Sequence, residues 1–340
     1  MKWRIPYFGL AALSLLLLSP VSVPQARAAD GPIQLSIAFS PGGALDAAAR
    51  VLAHDAEAVL GRNIVPRNTP SGGGMTAVAR LAKDKADGSR LAACVTNALI
   101  FIPTVNDAPY DPLKDVEPLL IFGQASPVLV TRPGAPWKTL DDFLAATRQA
   151  SGEMRIGVPG LGTPSHVALA AISAKDPSLK WRFVPFGGPG EAEAALLGGH
   201  VDAAASGALP RVKNGQLLPL MVLAGARLPA LPGVPSLSDK GFADPGRGDS
   251  SFILLAPAGV PPQTLDELSL AFLKAAETGA LRKTLEGFSA SAVLLNRQEA
   301  KAFLKEARAQ EKDILKAAGI ADRSAASPNQ GKSRTSSAGE

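Results

Sequence analysis

Four glycine-rich turns hold the residues of this chain that could do chemistry: "FSPGGALD" (39–46), "NTPSGGGMT" (68–76), "GLGTPSHV" (160–167) and "PFGGPGEAEA" (185–194). Each leads into a run of helix formers. Glycine lets backbone N–H groups come close to a bound molecule, and a helix start adds amides without intrahelical partners and the positive end of the dipole. The chemistry of such a place is anion binding. Taken singly, each turn is an ordinary tight α/β connection. Four of them, spread over two halves of the chain, favour a two-sided anion site.

Within these turns, Thr163 is a good N-cap, Pro164 suits the first helical position, and Ser165 and His166 follow in the first turn. Asp46 falls in the first turn of the helix after Gly42 and Gly43, where its charge complements the dipole and its side chain caps amides. Direct ligand contact is the second reading of Asp46.

Catalytic patterns find little support. The chain has no G-x-S-x-G elbow, no G-x-x-x-x-G-K-[ST] phosphate loop and no H-E-x-x-H. Its three histidines, His54, His166 and His200, have no metal-ligand spacing. Ser165 and His166 are neighbours in a helix, about 100° apart around its axis, which does not suit a nucleophile and its base. A secreted hydrolase using Ser165 or His166 is therefore the weaker alternative. "GPGEAEA" lacks the G-x-G-x-x-G order of a dinucleotide site. Neither a cofactor nor a metal is expected.

Positioning these turns requires strands before them and helices after them. "IQLSIAF" precedes Pro41, "MRIGV" precedes Pro159 and "WRFVPF" precedes Gly187. Strand then helix, repeated, predicts an α/β fold with a mostly parallel sheet flanked by helices. After Leu45, apolar residues at Ala49, Leu52, Ala56 and Val59 keep helical spacing until Gly61, a C-terminal stop. "ASPVLVTRPGAPW" (125–137) and "SSFILLAPAGVPP" (250–262) read as crossings between two lobes. Two crossings make the first lobe discontinuous: 30–128 plus 254–320, with 129–253 as the second lobe.

The ends of the chain read differently. Lys2 and Arg4 precede an apolar run from Phe8 to Leu18, followed by Pro20, Pro24 and Ala26-Arg27-Ala28. This predicts a signal peptide over 1–28, cleaved near Ala28, and a periplasmic protein. The apolar run falls short of the roughly 20 residues that span a bilayer, so the protein is not expected to be membrane-embedded. Residues 321–340 lack apolar periodicity and are rich in Ser, Ala and Gly, the composition of a disordered tail.

The formal net charge of +5 falls to +2 once Lys2, Arg4 and Arg27 leave with the signal peptide. With 5% aromatic residues and no basic block, a nucleic-acid partner is not expected. The single cysteine, Cys94, excludes an intramolecular disulfide and reads as a small buried hydrophobe.

The motifs "FSPGGALD", "NTPSGGG", "YDPLKDVEPLL", "GLGTPSHVA", "PFGGPGEAEAALLGGHVD" and "LLAPAGVP", in this order from about Ile33 to Ile320, resemble the tripartite tricarboxylate transporter substrate-binding receptors, or Bug proteins. The resemblance implies a two-lobed, flytrap-like periplasmic receptor. It would be a monomer that binds a small organic carboxylate between its lobes and delivers it to membrane transporter subunits, without catalysis. A ligand-sensing role for a signalling membrane protein is the alternative.

Carried onto this chain, the family's binding loops are Phe39, Ser40, Pro41, Gly42, Gly43 and Asp46 from the first lobe, and Gly162, Thr163, Ser165 and His166 from the second. Phe186 and Gly187, with Thr96 and Asn97 after the "RLAACV" strand, are further candidates. The chain departs from the family's pattern at Ala44 and Leu45, where relatives commonly have Gly and Thr. It departs again at Asn68-Thr69-Pro70-Ser71, and at "FGGPG" in place of a Tyr-Lys start. The first change removes a hydroxyl and adds a bulky group, and the other two imply a less polar cleft.

Overall fold

The computed structural model describes Met1 and residues 31–320, apart from 71, 151, 243–249 and 289. The expected signal peptide and C-terminal tail lie outside the described residues. Strand β1 (Ile33–Ile37) leads into α1 (Ala44–Leu60), and β2 (Ile64–Asn68), α2 (Met75–Leu81), β3 (Arg90–Val95) and α3 (Phe101–Asn106) repeat the pattern. β4 (Val116–Ala125) passes almost directly into β5 (Val128–Thr131), which belongs to a second sheet. There follow α4 (Leu140–Gln149), β6 (Met154–Val158), α5 (Pro164–Lys175), β7 (Trp181–Pro185), α6 (Pro189–Leu197), β8 (Ala203–Ser206), α7 (Leu209–Lys213) and β9 (Leu218–Val222). The chain returns to the first sheet in β10 (Ser250–Pro257) and ends with α8 (Pro262–Ala276), α9 (Gly279–Glu286), β11 (Ala290–Ser291) and α10 (Arg297–Ala317).

The first sheet has the order β11-β4-β10-β3-β1-β2 and the second β7-β6-β8-β5-β9. Strands β1 to β4 share one direction and β6 to β9 share another; β10 and β5 run against their neighbours inside the two sheets. These two strands are the ones that receive the chain after it crosses between lobes. Crossing happens at the edge where the other strands end, so the receiving strand must run away from it.

The whole of β10 pairs in the first sheet, beginning with Ser250 opposite Ala125, and Val128 pairs with Ser206 in the second. This corrects the lobe limits read from sequence: residues 250–253 belong with the first sheet and Val128 with the second. The apolar string around Phe252 needs both of its strand neighbours to satisfy its backbone.

Local physics accounts for the elements that frame the site. In β1, Ile33, Leu35 and Ile37 are buried while Gln34 and Ser36 are half-buried, the period-two pattern of a strand. In α1, Ala48, Ala49, Leu52, Ala53 and Ala56 form the buried stripe, and Gly61 ends the helix at φ +63° with its N–H on the Glu57 carbonyl. Val59, expected on that stripe, is instead exposed, while the next residue, Leu60, packs against the core. Cys94 is buried near the end of β3, as expected, and burial pushes its thiol far up.

Candidate ligand cleft

A cleft of about 700 Å³ lies between the two sheets. Its lining comes from the segments that follow β1, β6, β7 and β8, together with the end of β3 and the crossing ends of β4, β5 and β10. Ligands of open α/β sheets bind outside the carboxyl ends of the strands, and both lobes present those ends here.

From the first lobe, Phe39, Ser40, Pro41, Gly42 and Gly43 line the cleft, joined by Ala44 and Leu45. The first bond of α1 runs from Ala47 N to Gly43 O at 3.0 Å, so the Ala44 and Leu45 amides have no acceptor within the helix. From the second lobe come Thr163, Pro164 and Ser165, at the start of α5, whose first bond is Val167 N to Thr163 O at 3.0 Å. Two helix N-termini from different lobes thus meet at one cavity. The start of α6 contributes Pro189, Gly190, Glu191 and Glu193.

The remaining expected site residues lie outside the lining. Asp46 is buried behind its loop: Oδ2 accepts from Gly42 N at 3.0 Å, and Oδ1 accepts from Arg50 Nε at 2.9 Å and Asn68 Nδ2 at 2.8 Å. Asn68 also donates to the Phe39 carbonyl at 2.8 Å. Asp46 therefore tethers the loop, and its negative charge is met by Arg50 on the side away from the cavity.

Thr96 and Asn97 are buried in the turn after β3, whose cleft residue is Val95. Phe186 packs over Gly157 of β6, with a ring atom 3.1 Å from where a Gly157 Cβ would stand. Gly187 holds the lobes together through its carbonyl, which accepts from Ser40 N at 3.4 Å.

Gly162 and His166 also serve the loop. Gly162, at φ +82°, lies against Ile102 of the first lobe, and its N–H donates to His166 Nδ1 at 3.1 Å. Burial lowers the His166 pKa to about 4, so the ring is neutral and Nδ1 is free to accept. The imidazole stacks edge-on against Phe183, with centroids 4.9 Å apart, and faces a separate hollow beside Ala170 and Ser173. Ser165 faces the cleft and His166 this hollow, so the two do not form a nucleophile and base. Thr163 makes no side-chain cap; its hydroxyl donates to the Gly160 carbonyl at 2.7 Å and closes the turn instead.

Sequence reasoning missed Glu191, Glu193 and Arg211, as well as the apolar wall of Phe252 and Phe288. Glu193 is buried and pairs with Arg211 Nε at 2.7 Å. Burial pushes its carboxyl up against the opposing pull of Ser206 and Arg211. Ser40 donates its hydroxyl to Glu191 across the cleft. The E-x-E spacing at the start of α6 was the available signal for both acids.

The lobes also touch closely between the turn after β6 and the turn before α2. A Cβ on Gly160, at φ +137°, would stand 2.7 Å from both Cα and N of Gly73. Gly160 and Gly73 therefore let one backbone rest on the other, and the conformation is closed. Among the described residues no cluster of His, Cys, Asp and Glu could hold a metal, and no helix is long and apolar enough to cross a membrane.

Two lobes, each with a sheet flanked by helices, closing on a cavity at the strand ends, define the periplasmic-binding-protein architecture. Residues 48–320 match the family described as tripartite tricarboxylate transporter family receptor, and the chain belongs to this family. It is 30% identical over 318 residues to the "UPF0065 protein in gbd 5'region" of Cupriavidus necator, covering 92% of this chain and 96% of that one. The periplasmic binding protein BugD superposes with a TM-score of 0.79 at 20% identity, covering 86% of this chain and 99% of its own. An R. palustris protein solved with adipate gives 0.78 at 23% identity, covering 86% and 98%. At these identities the two structures establish likeness of fold.

Proposed function

We propose that the protein is a periplasmic receptor that closes its two lobes on a small organic carboxylate and delivers it to a tripartite tricarboxylate-type membrane transporter. The observation that carries this reading is the convergence of the α1 and α5 N-termini, one from each lobe, on the same cavity. A carboxylate held there takes N–H bonds from both lobes and so favours the closed form. The N-terminal leader supports export, the adipate-bound neighbour supports a carboxylate as ligand, and family membership supports a transporter as the recipient.

The magnitudes suffice. A charge-assisted hydrogen bond contributes about 1.5–3 kcal/mol, and a helix start a few tenths to about 2. Four or five such contacts cover micromolar affinity, about 8 kcal/mol, after the costs of ordering. Shifting the lobes from mostly open to mostly closed takes about 5.5 kcal/mol of preference, which contacts from both loops together supply. In this role the residues bind and position; no group is asked to transform the ligand.

A thermal-shift screen of protein refolded free of ligand, against mono-, di- and tricarboxylates, tests the reading. A ligand at about 100 times its dissociation constant adds about 2.7 kcal/mol of stability, a visible rise in melting point. A carboxylate that produces the rise supports the receptor; a folded protein that responds to none of them speaks against it.

A further inference from the structure

The turns before α1 and α6 are built alike. In "GGALD" (42–46) and "GGPGE" (187–191) two glycines precede the first helical residue and an acid takes the third helical position. In each, that acid accepts from the amide of the first glycine: Gly42 N to Asp46 Oδ2 at 3.0 Å, Gly187 N to Glu191 Oε2 at 2.9 Å. Their charges are handled differently. Asp46 is buried and answered by Arg50, whereas Glu191 is exposed, lines the cleft and has no place in the ion pairs found among the described residues. The arginine that lines the cleft, Arg211, is taken up by Glu193 at 2.7 Å.

Capping the α6 turn needs one carboxylate oxygen. The other, Oε1, reaches across the cleft to the Ser40 hydroxyl, in the loop that presents the α1 amides. A ligand carboxylate at those amides therefore has an uncompensated negative charge beside it. A second carboxylate on the ligand adds repulsion, while an ammonium or another N–H donor next to the first meets Oε1 directly. The surrounding wall of Phe39, Leu45, Phe252 and Phe288 suits an apolar body.

Resting on the carboxylate reading above, we propose that Glu191 is the specificity-determining residue of the cleft. It accepts a cationic or N–H donor group carried beside the ligand's carboxylate, and so selects a zwitterion with an apolar body over a dicarboxylate.

Three probes share one skeleton and differ only at the carbon next to the carboxylate: phenylalanine carries an ammonium there, 3-phenylpropanoate a hydrogen and benzylmalonate a second carboxylate. Calorimetric titration of the refolded protein should rank them in that order, each step being about tenfold in affinity. In Glu191→Gln, which keeps an acceptor for the Gly187 amide, the spread should shrink to about threefold, with benzylmalonate gaining most. Benzylmalonate binding as tightly as phenylalanine to the wild type, or a ranking untouched by Glu191→Gln, overturns the assignment and leaves the carboxylate receptor standing. Failure of all three to bind either folded protein counts against both.

Discussion

Gly43 and Pro189 face each other across the cleft, and a Cβ placed on Gly43 would stand 3.3 Å from Pro189 Cγ. Gly43 has φ −89° and ψ 172°, extended backbone open to any residue, so glycine is there for space. Gly43→Val should weaken carboxylate binding by about tenfold or more, because the branched side chain fills the approach of α6 and the path to the α1 amides. The melting temperature should stay within about 2 °C, since the site is partly exposed and its backbone conformation suits any residue. Calorimetric titration and thermal unfolding check the two halves of this expectation.

The backbone contact between Gly160 and Gly73 predicts an effect on closure. Gly160→Ala introduces a methyl at 2.7 Å from backbone atoms that cannot rotate away, and does so at φ +137°. The strain should cost about 1–3 kcal/mol and hold the lobes apart. Small-angle scattering of the wild type should show compaction on saturation with ligand, and the variant should show little or none.

His166 predicts an acid limit to stability. Its pKa is held at about 4 in the folded protein, below the ordinary 6.5, so the unfolded chain binds a proton that the folded one refuses. Stability should therefore be undiminished above pH 6.5 and fall as pH drops from there towards 4. The upper bound for this one group is about 3 kcal/mol. Denaturant titrations across that range measure the slope. His166→Asn keeps an acceptor near the Gly162 amide without titrating, and should flatten the part of the slope that His166 contributes.

Asp46 predicts a loop that loosens without unfolding the lobe. Asp46→Ala leaves the Gly42 amide, Arg50 and Asn68 without their common acceptor. It should cost about 2–3 kcal/mol of stability and weaken ligand binding as well, because the α1 amides lose their fixed orientation. Asp46→Asn should recover part of both. Hydrogen exchange at Gly42 and Gly43, followed by NMR, reads the loop directly.

How much of this was legible in the sequence follows from the range of the interactions involved. The turns at Gly42-Gly43 and Thr163-Pro164 announce themselves locally, and both start helices that line the cleft. Which way a side chain faces is set by packing from elsewhere. His166 turns to Phe183 and Asp46 to Arg50 and Asn68, so neither reaches the cavity that their neighbours line. Glu191 was hidden for another reason: an acid in the first turn of a helix is what the dipole favours anyway, and nothing local marks its second oxygen as directed at Ser40. Phe252 reaches the cleft because β10 inserts between β3 and β4, a pairing that joins residues far apart in the chain.

The most direct test of the receptor account is calorimetric titration of ligand-free refolded protein with the carboxylate that gives the largest thermal shift, run beside Gly43→Val. The account predicts a single site per chain in the wild type and an affinity at least about tenfold weaker in the variant. Equal affinity in the two folded proteins would contradict it, because the carboxylate would then be bound somewhere other than between the helix starts of the two lobes.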